Sequence, residues 1–266
     1  MTFYTDDFYE RTASGSERSA RVVLPLLFDL IRPRSVVDVG CGIGSWLRVA
    51  RDLGVEDIVG IDGSYVDRTH LRIPEQSFVA ADLGQPLSLN RKFDLAICLE
   101  VAEHLEPAGG EQLIRTLIAA SDVVLFSAAA PLQGGVDHRN EQWPDYWARQ
   151  FAAGGFLWID CLRNLIWDDR RVEWWYAQNS IVYVRETALQ AYPNLATFVD
   201  GSRESPLSLP HPIAYISYVG SLRQFYSLEA LPGVRFMTRA FCVSVVRAVR
   251  KRIAGGRSKS TPGSVR

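Results

Sequence analysis

The stretch Val36-Val37-Asp38-Val39-Gly40-Cys41-Gly42-Ile43-Gly44-Ser45-Trp46-Leu47 decides the fold. It reads as a buried β-strand that passes through a glycine-rich turn into a helix. The three glycines let the backbone approach a ligand closely and adopt dihedrals that a Cβ forbids. The helix that follows turns unpaired N–H groups and its positive dipole end toward that ligand. Nucleotide-like ligands dock at such turns, and the pattern by itself names no cofactor.

Outward from this strand the same grammar repeats. Leu24 to Ile31 reads as a short helix feeding the strand Ser35 to Val39, and Trp46 to Leu53 as the helix after the turn. Asp57 to Ile61, Ser77 to Ala80, Phe93 to Leu99 and Asp122 to Ser127 read as further strands, the first three running into Asp62, Asp82 and Glu100. Leu113, Ile114, Leu117 and Ile118 recur at helical spacing before the fifth strand. Phe156 to Cys161 and Ser180 to Val184 add two more, the last one antiparallel. Continuous apolar strands alternating with helices predict an α/β protein with a doubly wound, Rossmann-like, seven-stranded and mostly parallel sheet, covered on both faces. The expected organisation is a helical lead-in over 1–34, the ligand-binding domain over 35–185, a linker or flap over 186–233, and a basic amphipathic helix with a disordered C-terminal tail over 234–266.

Composition bounds this reading. The chain has 266 residues, 47% of them apolar, enough for one substantial core. Its four cysteines, at 41, 98, 161 and 242, follow neither a C-x-x-C nor a zinc spacing, which suits reduced thiols in a cytoplasmic setting. No apolar run is long enough for a signal peptide core or a membrane span. The net charge of −1 conceals an asymmetry: from Arg235 onward there are nine Arg or Lys residues and no acids, against an excess of ten acids before it. On charge grounds the body is not a nucleic-acid surface. Met237, Phe241, Val245, Val249 and Ile253 recur every four residues with basic residues mostly opposite, so 234–253 is expected to form a cationic helix. Peripheral contact with the inner face of a membrane and docking on the acidic body or a second subunit are both open for it.

In an open α/β sheet, ligands bind beyond the carboxyl ends of the strands, so acids at successive strand ends converge on one crevice. Asp62 is placed to accept hydrogen bonds from ribose hydroxyls, Asp82 to meet an adenine amine, and Asp38 to orient the glycine loop or reach a ligand ammonium. The G-x-G-x-G spacing is one residue shorter than the dinucleotide fingerprint and leans toward S-adenosylmethionine. An acid about 20 residues past the turn would serve NAD equally well. The four motifs Val36 to Gly44, Ile61-Asp62, Ala81-Asp82-Leu83 and Phe93 to His104, taken in order, resemble those of class I S-adenosylmethionine-dependent methyltransferases over about residues 20–185. The later motifs tell against a nicotinamide enzyme. The resemblance implies that Gly40, Gly42 and Gly44 frame the methionine portion, that Asp62 holds the ribose, and that Asp82 with Leu83 borders the adenine.

The candidate chemistry lies after the fourth strand. Glu100, Glu103 and His104 stand at i, i+3 and i+4, so a helical turn puts them on one face. His138, after the fifth strand, should open onto the same crevice as His104. This mixed oxygen and nitrogen set suits Mg²⁺ or another divalent metal, and a cation on an acceptor oxygen lowers the pKa of its hydroxyl. The E-x-x-E-H pattern with a later histidine resembles that of metal-dependent O-methyltransferases, including small-RNA 2′-O- and ubiquinone-pathway enzymes. That resemblance implies Glu100, Glu103, His104 and His138 as metal ligands. A metal-free enzyme with His138 or His104 as general base, and a silent S-adenosylmethionine-binding subunit, remain open.

Six of seven tryptophans lie between 143 and 175, and Arg139, Asn140, Gln142, Gln178 and Asn179 offer hydrogen bonds to hydroxyls. For each tryptophan taken separately core packing is the favoured role, whereas as a group bordering His138 they favour a polyhydroxylated or aromatic acceptor. The run Glu141-Gln142-Trp143-Pro144-Asp145-Tyr146-Trp147 resembles a phrase in bacterial methyltransferases of glycan and natural-product pathways. The expected activity is methyl transfer to a hydroxyl of a sugar, polyol or other small-molecule or glycan acceptor. The acceptor itself and the oligomeric state are not specified by the sequence.

Overall fold

Seven strands form one sheet in the order β3-β2-β1-β4-β5-β7-β6. They are β1 (Ser35–Val39), β2 (Asp57–Asp62), β3 (Phe78–Ala80), β4 (Leu95–Leu99), β5 (Val123–Ser127), β6 (Phe156–Ile159) and β7 (Ile181–Arg185). The first five pair parallel, with Val37 opposite Val59 on one side and Ala96 on the other. β7 runs antiparallel to both β5 and β6, so the expected reversal of the last strand is present. The computed structural model describes residues 6–204 and 206–226. The chain divides into two units, Met1–Tyr215 and Ile216–Arg266. Everything below belongs to the first; the described residues of the second, 216–226, are helical. The expected basic helix over 234–253, its tail and Cys242 lie outside the described residues.

The helices are α1 (Asp6–Ile31), α2 (Ser45–Asp52), α3 (Pro107–Ala120), α4 (Pro144–Ala153), α5 (Arg163–Ile166), α6 (Trp174–Asn179), α7 (Pro193–Ala196), α8 (Val199–Glu204) and α9 (Pro212–Tyr226). Two apolar layers result. Leu24, Leu27, Trp46, Leu47, Ile97 and Leu125 belong to one, and Val37, Val39, Leu113, Leu117, Phe126 and Trp147 to the other. β4 and β5 are buried at every position, as a parallel strand covered on both faces must be.

Several boundaries differ from the sequence reading, β6 for example ending at Ile159 instead of Cys161. The first helix is 26 residues long instead of a short segment from Leu24, and it carries Pro25 in its interior. It ends where Arg32 adopts φ 48° and donates its N–H to the Phe28 carbonyl, with Pro33 next in sequence to prevent continuation. β4 begins at Leu95, two residues later than expected. Asp94 is occupied instead by the backbone N–H groups of Arg34 and Ser35, at 2.7 and 3.0 Å. Beyond β7, residues 186–191 form a 3₁₀ turn and α7 and α8 follow.

Candidate active site

A cavity of about 930 Å³ opens at the carboxyl ends of β1, β2 and β4. Its first wall is the glycine turn. Gly40 has φ 92°, and its N–H donates to the Ile61 carbonyl at 2.7 Å. A Cβ there would lie 2.2 Å from Cγ2 of Val101, so both conformation and space demand glycine. Gly44, at φ 87°, would meet Ile73 at 2.9 Å. Gly42, at φ 53°, has nothing within 4 Å of its absent Cβ because it faces the cavity.

Asp62 binds the turn to the next strand. Its Oδ2 accepts the Gly42 N–H at 2.6 Å, while Oδ1 accepts the Gly63 N–H and the Tyr65 hydroxyl at the same distance. A carboxylate has about four lone-pair positions, so capacity for a ligand hydroxyl remains. Asp82 and Leu83 also line the cavity, with Asp82 Oδ1 accepting the Gly84 N–H at 3.0 Å. Asp38 is buried beneath the turn; desolvation, and secondarily the charge of Asp62, holds its carboxyl well above the usual range. Burial and these same two charges push the Cys41 thiol up, which leaves it a poor nucleophile.

The second wall reaches the titratable cluster through His104; Glu103 and His138 are not among the residues that line the cavity, so the expectation that both histidines open onto it holds for His104 alone. Ala102–His104 is a 3₁₀ turn after β4. Ligand atoms of Glu103, His104 and His138 all lie within 4.8 Å of one another, and the two imidazole rings meet edge to face at 4.8 Å between centroids. The Glu103 carbonyl accepts the N–H groups of Arg139 and Asn140 at 2.8 and 3.0 Å, which ties the His138 loop to the turn. Glu103 is fully buried, and neither carboxylate oxygen has a hydrogen-bond partner among the described residues. Desolvation first, then the charge of Glu100, raises its pKa strongly. His104 is shifted the other way: burial, then His138, lowers its pKa and favours the neutral imidazole.

The fourth candidate ligand, Glu100, lies outside that group of ligand atoms, although its charge raises the pKa of Glu103 and burial raises its own. Glu100 Oε2 accepts from Gln133 Nε2 at 2.8 Å and Oε1 from Asn179 Nδ2 at 3.2 Å. Of the hydrogen-bonding residues expected to meet an acceptor, Arg139 lines the cavity, whereas Gln178 and Asn179 are buried and engaged with each other at 2.9 Å. Of the six clustered tryptophans, Trp175 alone lines the cavity; Trp147 is core and Trp143 is 47% exposed.

Sequence reasoning gave Glu141 no role. Its Oε1 pairs with His138 Nδ1 at 2.8 Å and accepts the Gly134 N–H, and its Oε2 accepts the Leu132 N–H at 2.8 Å. One carboxylate thus organises the loop and orients the imidazole. The H-x-x-E spacing was its one available signal. Ser16 of α1 also lines the cavity and bonds Tyr176 of α6 at 3.0 Å, a contact between residues 160 apart.

A methyltransferase domain family profile matches residues 9–168, more than half of the chain. The chain belongs to that family. Its sheet order and end-of-strand cavity are those of class I methyltransferases, which use S-adenosylmethionine. The fold is similar to that of Streptomyces venezuelae DesVI, with 15% identity, TM-score 0.52, and coverage of 68% of this chain and 99% of that one. The magnesium protoporphyrin IX methyltransferase ChlM of Synechocystis PCC 6803, solved with bound S-adenosylmethionine, is 20% identical with TM-score 0.48, covering 70% and 86%. The sugar N-methyltransferase KedS8 of Streptoalloteichus is 17% identical with TM-score 0.48, covering 70% and 96%. No curated protein sequence matches the chain. No helix among the described residues is long and apolar enough to cross a membrane.

Proposed function

We propose that this methyltransferase transfers a methyl group from S-adenosylmethionine to a hydroxyl of a sugar, polyol or other small-molecule or glycan acceptor, with a divalent cation held by Glu103, His104 and His138. The observation that carries the reading is the buried Glu103 carboxylate, without a hydrogen-bond partner at either oxygen among the described residues, beside two imidazoles. An unpaired buried carboxylate is costly, and a cation removes that cost. One carboxylate and two imidazoles suit a borderline divalent metal.

Bound S-adenosylmethionine supplies an electrophilic methyl group, and a bound cation would acidify a coordinated hydroxyl. The residues of the chain do the rest. Asp62 takes the ribose, Asp82 and Leu83 border the adenine, and Gly40, Gly42 and Gly44 with Asp38 shape the methionine side. His138 has Nδ1 committed to Glu141, so Nε2 is the ring nitrogen that would serve a ligand or proton. That same pair favours a second reading, in which Nε2 of His138 accepts the acceptor hydroxyl's proton without metal as the C–O bond forms and the C–S bond breaks.

The test is production of S-adenosylhomocysteine across a panel of sugar nucleotides, glycans and phenols, with and without exhaustive chelation. Activity restored by one divalent metal supports the metal site. Activity that survives chelation and disappears in His138→Ala supports the base. The nine basic residues from Arg235 onward support peripheral contact with an anionic membrane. Binding to phosphatidylglycerol vesicles that survives deletion of residues 234–266 would remove that idea.

A further inference from the structure

Tyr65 lines the cavity and is 65% exposed, yet its hydroxyl donates to Oδ1 of the buried Asp62 at 2.6 Å. The chain builds this contact locally. β2 ends at Asp62, and the Val66 N–H donates to the Gly63 carbonyl at 3.2 Å, which closes a turn over 63–66. Val66 is buried in the apolar layer that also holds Trp46 and Leu47. Just beyond it, Asp67 caps the next 3₁₀ turn by accepting the Thr69 N–H. The backbone on either side of Tyr65 is therefore fixed, and its side chain folds back over the end of the strand.

Gly63 admits the ring. A Cβ at 63 would lie 2.0 Å from Cε1 and 2.5 Å from Cδ1 of Tyr65, and its three nearest neighbours all belong to that ring. Gly63 has no positive φ, so its backbone conformation does not call for glycine. The close approach of the phenol does.

The contact fills the carboxylate that the ribose needs. Asp62 Oδ1 accepts from the Gly63 N–H and the Tyr65 hydroxyl, and Oδ2 accepts from the Gly42 N–H. Of roughly four lone-pair positions on a carboxylate, three donors leave one. A ribose brings two adjacent hydroxyls. The two N–H donors are backbone groups of the glycine turn and of the strand end, and neither leaves without opening that backbone. The Tyr65 hydroxyl is the one donor carried by a side chain, and a change of rotamer removes it while the turn stays intact.

Resting on the donor assignment above, we infer that the Tyr65 hydroxyl holds on Asp62 the position of a ribose hydroxyl, and that S-adenosylmethionine binds by displacing it. Tyr65 is thus a gate on the donor site. The apparent affinity is the intrinsic affinity reduced by the fraction of molecules in which the phenol has left Asp62.

Stopped-flow mixing with S-adenosylhomocysteine, read by the fluorescence of Trp46 and Trp175 in the cavity wall, tests the gate. Tyr65→Phe keeps the ring and removes the hydroxyl. Its association rate is expected to rise about 3-fold or more, while dissociation changes by less than about 2-fold. In wild-type protein labelled with ¹³C at tyrosine Cζ, the resonance that Tyr65→Phe lacks should move when S-adenosylhomocysteine is added. An unchanged or slower association in Tyr65→Phe overturns the inference. So does faster dissociation with association unaltered, which would make the hydroxyl a contact to the bound donor. A Tyr65 resonance that stays in place overturns it as well. If the wild-type protein binds no S-adenosylhomocysteine, it is the donor assignment that fails, and the gate with it.

Discussion

The two walls of the site, the glycine turn that lines the cavity and the titratable cluster that reaches it through His104, are built on opposite plans. The glycine turn with Asp62 is satisfied internally: Gly40, Cys41, Gly42 and Gly63 all donate to Ile61 or Asp62. The cluster of Glu103, His104 and His138 is incomplete, with a buried Glu103 carboxylate that has no hydrogen-bond partner among the described residues. The first wall is a rigid template whose shape precedes its ligand. The second stores an electrostatic deficit that a ligand relieves. The contrast teaches that in this protein binding geometry is set by backbone, while chemistry is set by side chains drawn together from distant segments.

That comparison can be broken experimentally, beginning where the expected effect is largest. Gly40→Ala combines a positive φ with a 2.2 Å approach to Val101. Strain and overpacking together should cost about 2–6 kcal/mol. Thermal denaturation should show a lower Tm and calorimetry no S-adenosylhomocysteine binding; a normal Tm would mean the template is soft. His138→Ala acts on the other wall alone. The rate of methyl transfer should fall on the order of 10²–10⁴-fold with S-adenosylhomocysteine affinity retained.

Gly135→Ala sharpens the division without touching a charged group. A Cβ at 135 would stand 2.1 Å from Nε2 of His138, so the imidazole must move. A displacement near 1 Å predicts on the order of 10²-fold in kcat. Binding of S-adenosylhomocysteine should not change, and a wild-type rate would detach His138 from the chemistry.

The smallest effect is expected in the template itself. Asp38 has a folded-state pKa raised by burial and by Asp62, so the folded protein keeps this proton to higher pH than the unfolded chain does. Its ionisation therefore opposes folding as pH rises above the unfolded value of 3.8. Asp38→Asn should stabilise the unliganded protein near pH 7 by on the order of 1 kcal/mol, roughly 2–4 °C in Tm. The gain should vanish as pH falls toward 3.8, and a gain that persists there would rule out this origin.

The strands were legible because each one is short and apolar and, β5 aside, is followed within two residues by an acid or glycine. The early part of α1 was not legible. Ser14-Gly15-Ser16 has poor helix propensity, and the helix is held there by tertiary contacts: Arg18 with Glu173, Ser19 Oγ with the Glu173 N–H, and Glu17 with Arg72. Gln178 and Asn179 read as hydrogen-bond partners for an acceptor's hydroxyls, because the sequence around Asn179 says nothing of a buried carboxylate 79 residues away.

By itself, then, the sequence determined the alternation of strands and helices, the glycine turn and the acids that end β2 and β4. Those features depend on periodicity and on backbone dihedrals, which are local. Only the tertiary structure decided that Glu103 rather than Glu100 joins the two histidines, that Glu141 orients one of them, and that Gln133 and Asn179 clasp Glu100. Those outcomes depend on which partner lies within 3 Å of a side chain once remote segments have packed, and helical spacing alone carries no such distance.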